Sequence, residues 1–474
     1  MLRGHRQQLH TQIARTLEER FPDTGRLEPE VLAHHLAEAG LALKAIPYLQ
    51  QAGARSASSA AHREASAHFM TGLELLAQLP EDAQRHQIEL GLQLQHGLSL
   101  SASRGYAAPA VESAYRRARE LCQALGDTAE LFPVLRGLCT YYIVRDELAA
   151  ARELAQQCLR LGEETQRPDY LIEGYTALGY TLVYLGELQT GRELLERAVH
   201  LYRTQGGEQL TYPSAQDPAM ACLCLLAIVA WMCADASGAQ SSSEQALALA
   251  SARNRPFDLA YARCFLAMFE SMRGNPGLAA QHAQSAIEIS RQHGFDVWLG
   301  AGTLNLAVAR AGLGEAEASA AVLAPALAAW HAGGAELNRP LFLLGLASCQ
   351  AASSAPDQAL ETLAEAMQHA KEHAEHFYES ELYRLRALLL ASRGERARAQ
   401  AEADFETALN IARAQKATML ELRTLVSRYR FDALERSRAQ LEALVQELAD
   451  ECQDTVDWQE ARALLAEQIA SAQP

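Results

Sequence analysis

The stretch GYTLVYLGELQTGRELLERAV (residues 179–199) joins two apolar helical runs across a Gly-Glu break, with glycines at 179, 186 and 191. A glycine inside a helix costs about 1 kcal/mol relative to alanine, so a helical reading must find a use for the missing side chains. Recurrence supplies it. In register with Ala198 stand Ala118, Cys158, Ala246, Ala286, Ala326, Ala366 and Ala408, at successive spacings of 40, 40, 48, 40, 40, 40 and 42 residues. Seven residues before these markers lie Val111, Ala151, Gly191, Ala239, Ala279, Ser319, Ala359 and Ala401, all small but the first. Nineteen residues before them, on the preceding run, lie Ser99, Cys139, Gly179, Ala227, Ala267, Ala307 and Ala347. The last copy meets the rule near Ala387 after a two-residue shift.

Three small positions per unit let two backbones cross closely, because interhelical distance follows the side chains at the contact. Gly179 and Gly191 are therefore read as packing glycines, and Gly186, Gly274 and Gly314 as helix ends in the left-handed conformation. Apolar residues recur at three- and four-residue intervals around these positions, as in Leu194, Leu195, Val199 and Tyr202. Each unit is then a helix-turn-helix hairpin that cannot bury both faces alone, so stacked neighbours must complete the core. The expected fold is all-α, an α-solenoid with a period of about 40 residues.

Composition agrees with a helical chain and narrows the partners. Across 474 residues, Leu and Ala dominate and β-branched residues are sparse. The formal charge of -16 repels phosphate backbones, so nucleic acid is not an expected partner. The most apolar run, Ala219 to Cys233, is shorter than the roughly 20 residues a spanning helix needs, and no membrane partner is expected. The N-terminus lacks the apolar core of a signal peptide, and the nine cysteines show neither a CxxC pair nor disulfide-like spacing. A reducing cytoplasm is the expected location.

The unit around Tyr175, Leu178, Gly179, Gly186, Glu187, Gly191, Leu195 and Ala198 resembles the tetratricopeptide repeat, although Arg203 stands where the family places proline. That resemblance implies a right-handed superhelix whose concave groove is lined by the first helix of each unit. A wider likeness rests on RGYAAPAVESAYRRARELCQALGD (104–127), AQDPAMACL (215–223), AELNRPLFLLGLA (335–347), ESELYRLRALLL (379–390) and FETALNIARAQKATMLELRT (405–424). These segments, in this order, look like the C-terminal tetratricopeptide region of bacterial signalling proteins that join a class III adenylate or guanylate cyclase, or another output domain, to a STAND-type ATPase. Residues 1–55 resemble the helical tail of the ATPase part, 56–430 the repeat array, and 431–474, DTVDWQEARALL especially, the terminal capping helices. The resemblance implies an upstream ATPase or cyclase module as partner, and an N-terminal end open to self-association.

No GxxxxGK[ST] loop, GxSxG elbow or HExxH helix occurs. The chain is expected to be noncatalytic, without cofactor or metal. His369, His373 and His376 are read as a solvated inter-unit turn beyond a helix ending soon after Ala370, and His34 with His35 as packing plus solvent. The expected activity is binding: a protein- or peptide-binding scaffold and sensor, or alternatively a small-molecule receptor with its pocket beneath the 204–218 loop. Projecting the repeat register gives the concave-face candidates Arg136, Thr140, Glu173, Thr176, Tyr180, Tyr184, Trp231, Tyr261 and Met268. The long insertion GGEQLTYPSAQDP adds Tyr212, Gln216 and Asp217, and the RGYAAP link adds Arg104.

Overall fold

A computed structural model describes residues 2–126, 129–252, 255–391 and 393–471. Residue 1 of the N-terminal segment and residues 472–474 of the capping segment lie outside the described residues. Those described are helical nearly throughout, with no strand among them. The chain is an α-solenoid. Its hairpins follow the register, as in Pro168–Tyr184 with Leu188–Thr204, Pro256–Met272 with Pro276–His293, and Arg339–Ala352 with Pro356–His373. Prolines 109, 168, 218, 256 and 356 open their helices, where a missing N–H is harmless and the fixed φ is already helical.

The small positions sit where close crossings need them. Every residue seven before a marker is buried, and so is every small residue of the first helices, Ala387 included. Of the markers themselves, only Ala326 is half-buried, on a helix that carries Pro325 in its interior. A Cβ on Gly179 would lie 2.8 Å from Leu195 Cγ, and one on Gly191 would lie 3.0 Å from the Gly179 carbonyl oxygen. These two glycines pack against each other. Between the helices Leu148–Thr165 and Pro168–Tyr184, Gly162 and Gly174 meet the opposing backbone just as closely, a second crossing that the register did not single out.

The turns inside the hairpins form a series of their own. Asp146, Gly186, Ala234, Gly274, Gly314, Ser354 and Gly394 all have φ between 60° and 94°. Glycine holds this conformation without strain; Asp, Ala and Ser hold it at a cost.

Two compact units divide the chain. The first comprises residues 1–141 with 213–215 and 292–297; the second comprises 142–212, 216–291 and 298–474. In the first, Tyr115 fills the space left by Gly97 and Gly137. In the second, the array folds back so that later segments cap the ends of earlier first helices. Glu336 and Leu337 donate to the Val144 carbonyl, His376 N–H donates to the Tyr184 carbonyl at 2.9 Å, and Arg423 donates to the Met272 carbonyl. The expected segment borders at 55/56 and 430/431 fall within the helices Ala42–Ser58 and Thr418–Asp432. No helix among the described residues is long and apolar enough to cross a membrane.

Candidate functional site

The second unit contains a pocket of ≈ 470 Å³ on its first helices. Met268 and Met272 come from Pro256–Met272, Asn305, Val308 and Gly312 from Asp296–Gly312, and Phe342, Ser348 and Ala352 from Arg339–Ala352. Tyr378, Glu381, Arg384 and Leu385 complete the wall. The lining follows the repeat. Met268, Val308 and Ser348 each follow the small residue of a first helix, and Met272, Gly312 and Ala352 lie four residues further on, one helical turn away.

The polar end of the pocket is internally neutralised. Arg384 holds Glu381 in a two-pronged pair at 2.7 Å and donates to Ser427 Oγ at 3.1 Å. Burial opposes ionisation of Glu381, but the charges of Arg384 and Arg423 outweigh it and hold the carboxyl below its ordinary range. Behind it, Arg423 donates to Tyr378 Oη at 3.2 Å and forms a two-pronged pair with Asp457. Such a surface offers apolar contact with a few fixed polar groups, the usual make-up of a binding pocket.

Among the expected concave-face residues, Met268 lines this pocket and the others do not. For Thr176, Tyr180, Tyr184, Trp231 and Tyr261 the stripe they occupy is covered by later packing. Tyr180 donates to the Ala221 carbonyl at 2.7 Å and lies 2.6 Å from Tyr261 Oη, while Tyr261 stacks on Phe265 and meets Trp298 edge-on. Thr176 contacts Cys222 Sγ, Tyr184 packs on Phe377 and accepts from Asn338, and Trp231 lies beneath the Arg423 guanidinium. Glu173 is buried. In the first unit, buried Arg136 hydrogen-bonds half-buried Thr140 on its own helix.

The 204–218 loop is likewise occupied by its own side chains. Asp217 caps the helix Pro218–Met232 through Met220 N–H and accepts from Tyr202 Oη at 2.8 Å. Tyr212 stacks on Tyr202 and donates to the Gly207 carbonyl, and Gln216 is buried. Arg104 is exposed beside a shallow polar depression containing the Arg63–Asp296 ion pair.

The histidine readings also change. The helix Pro356–His373 extends one turn further than expected, which puts His369 and His373 on one face with rings stacked at 4.2 Å. Both reach Asp146, buried in the turn after Leu131–Val144. Burial pushes the carboxyls of Asp146 and Glu375 upward, and for Glu375 the neighbouring Asp146 charge adds to it. His376 alone lies in the turn, paired with Glu379 at 2.8 Å. In the first unit His34 and His35 gather around His10, with His10 and His35 Nδ1 atoms 2.9 Å apart. Sequence spacing could not reveal either partner, Asp146 or His10.

No protein-family model matches the chain. It is 22% identical over 433 residues to an uncharacterised protein of Rhizobium meliloti (strain 1021), an alignment covering 89% of this chain and 41% of that protein. The chain thus spans 41% of the length of the curated relative it matches. Its fold is similar to that of NprR, solved in complex with its cognate peptide NprX: 14% identity, a TM-score of 0.52, and coverage of 79% of this chain and 100% of that one. A STAND protein with a tetratricopeptide repeat sensor from Pyrococcus horikoshii aligns with 81% of this chain and 54% of its own, at 14% identity and a TM-score of 0.38. The likeness to NprR is one of fold: a tetratricopeptide-like helical repeat.

Proposed function

We propose that this chain is a noncatalytic peptide- or protein-binding sensor whose binding site is the 268–385 pocket. The observation that carries the reading is the alignment of Met268, Val308 and Ser348 across three successive units, giving a mainly apolar wall with Glu381 and Arg384 at one end. A repeated stripe of this kind suits an extended segment that places successive apolar side chains along it. NprR, a solenoid of similar fold, holds a peptide in its solved structure. The greater length of the Rhizobium relative accords with the segment likeness to STAND ATPase and cyclase proteins. On that reading, occupancy is passed to an attached ATPase or cyclase, with residues 1–55 as the connecting piece and 431–474 as the cap; the physical means is unequal affinity for two shapes of the array.

The test is selection from a random peptide library on the full chain, followed by affinity measurement on Ser348→Trp. Ser348 is exposed at the pocket edge and bonds only its own helix, so the indole fills the pocket at little cost to folding. Selected peptides should bind Ser348→Trp at least tenfold more weakly and Tyr212→Ala unchanged. Peptides indifferent to Ser348→Trp would refute the site. The pocket volume also favours a second reading, a small-molecule receptor. A metabolite that raises the melting temperature of the parent but not of Ser348→Trp, in the absence of any selected peptide, would establish that reading instead.

A further inference from the structure

The Asp146 cluster contains more acceptors than donors. His369 Nε2 lies 3.0 Å from Asp146 Oδ2, and His373 Nδ1 lies 3.1 Å from the Asp146 carbonyl and 3.9 Å from Oδ2. Glu375 Oε1 accepts from Asn338 N–H at 3.2 Å, and its carboxyl group faces that of Asp146 within hydrogen-bond reach. Among the described residues no other side chain or backbone N–H donates to Asp146 Oδ1, Glu375 Oε2 or Asn338 Oδ1, although all three are buried. Unsatisfied buried acceptors are costly, and two facing carboxylates repel. Asp146 also occupies a left-handed turn position that Gly186, Gly274, Gly314 and Gly394 fill without strain. Ala234 and Ser354 also hold this position, and of the three non-glycine residues only Asp146 brings a carboxylate.

We propose that Asp146, His369 and His373 form a binding site for a divalent transition-metal cation of the zinc class, with Glu375 a neighbour of Asp146 rather than a ligand. The donor atoms of the three ligands lie within 4.8 Å of one another. A tetrahedral metal with bonds of roughly 2.1 Å separates its ligand atoms by about 3.4 Å, between the 3.0 and 3.9 Å separations of Asp146 Oδ2 from the two imidazole nitrogens. The stacked rings must turn apart to aim both lone pairs at one point, and His373, one-third exposed at 32%, has room to do so. Two imidazoles with a carboxylate suit zinc; calcium and magnesium take oxygen donors. The cation neutralises the facing carboxylates and fastens the Asp146 turn to a helix 223 residues further along the chain. The site lies in the second unit but does not depend on the peptide-binding reading.

The test uses the full chain with His10, His34 and His35 replaced by alanine, because those three imidazoles also cluster within 4.8 Å and would take up metal themselves. After chelator treatment, titration with zinc chloride by calorimetry should show one equivalent bound, and zinc should raise the melting temperature. Adding His369→Ala and His373→Ala should weaken that binding at least a hundredfold. Asp146→Asn, which keeps the side-chain size and tolerates the left-handed turn, should weaken it at least tenfold, so a misfolded histidine variant does not spoil the experiment. Cobalt(II) should give visible absorption of tetrahedral intensity in the parent and lose it in Asp146→Asn. Absence of zinc binding in the parent, or binding indifferent to Asp146→Asn, would overturn the site and leave the carboxylates sharing a proton.

Discussion

Replacing Gly191 with alanine sets two opposed effects against each other in the crossing of Pro168–Tyr184 with Leu188–Thr204. Helix propensity favours alanine by about 1 kcal/mol. Against it, the new Cβ would lie 2.7 Å from Val183 Cγ2, 3.0 Å from the Gly179 oxygen and 3.1 Å from Val183 N. Two of those neighbours are backbone atoms and cannot rotate away, so the helices must separate. Overpacking of this kind costs roughly 1–3 kcal/mol, leaving a net loss of about 1 kcal/mol. Gly179→Ala should cost less, because its closest contacts are Leu195 Cγ and Cδ2, which belong to a side chain able to shift.

Both substitutions open the same crossing, so the double variant should lose less than the sum of the single ones. Repeat arrays transmit stability mainly to neighbours, which makes a local probe preferable to a global melt. Hydrogen exchange should quicken about fivefold for 1 kcal/mol in residues 168–204 of Gly191→Ala, and change little in residues 395–432. Slower exchange in Gly191→Ala would mean that propensity acts unopposed, and the close-crossing account of the repeat would fail.

Three further outcomes follow from buried polar groups. Asp217→Ala removes the acceptor for Met220 N–H and for Tyr202 Oη and should cost about 2 kcal/mol, read as a lower melting temperature that Asp217→Asn partly restores. Arg423→Met strands Asp457 and should cost roughly 3–5 kcal/mol; adding Asp457→Leu should recover much of the loss in the same denaturation assay. His282 is pushed down to about 4 by burial and then by the Arg263 charge. Its neutral form, at Nδ1 2.9 Å from the Arg263 guanidinium, accepts a hydrogen bond. The unfolded chain protonates this histidine below about 6.5 while the folded one does not, so stability present above that pH falls toward pH 4 by up to about 3 kcal/mol. The urea midpoint should therefore change less between pH 7 and pH 4.5 in His282→Gln than in the parent.

The hairpins were legible because a close crossing imposes a local demand. Ala151, Gly191 and Ala239 are small for the same reason, and that reason recurs every 40 or so residues in the sequence. The Gly162–Gly174 contact joins one hairpin to the next, and small residues recur at the same register in Ala250 with Ala262 and in Ser290 with Gly302, a second repeat outside the three positions within each hairpin. The groove was half legible. The register placed Met268 on the lining stripe, and continuing it gives Val308 and Ser348, two further pocket residues.

Covering, however, is not a local property. Tyr184 and Met272 hold equivalent positions, each five residues beyond the small residue of its first helix. Met272 lines the pocket, whereas Tyr184 is sealed by Phe377 and Asn338. The periodic pattern is the same at both, and only the fold-back of the second unit separates them. The same long-range contact brings His369 and His373 to Asp146. No local signal marked that meeting: Asp146 shares its left-handed turn position with Ala234 and Ser354 as well as with glycines, and its partners lie on a helix 223 residues further along the chain, so periodicity within a unit carries no trace of them.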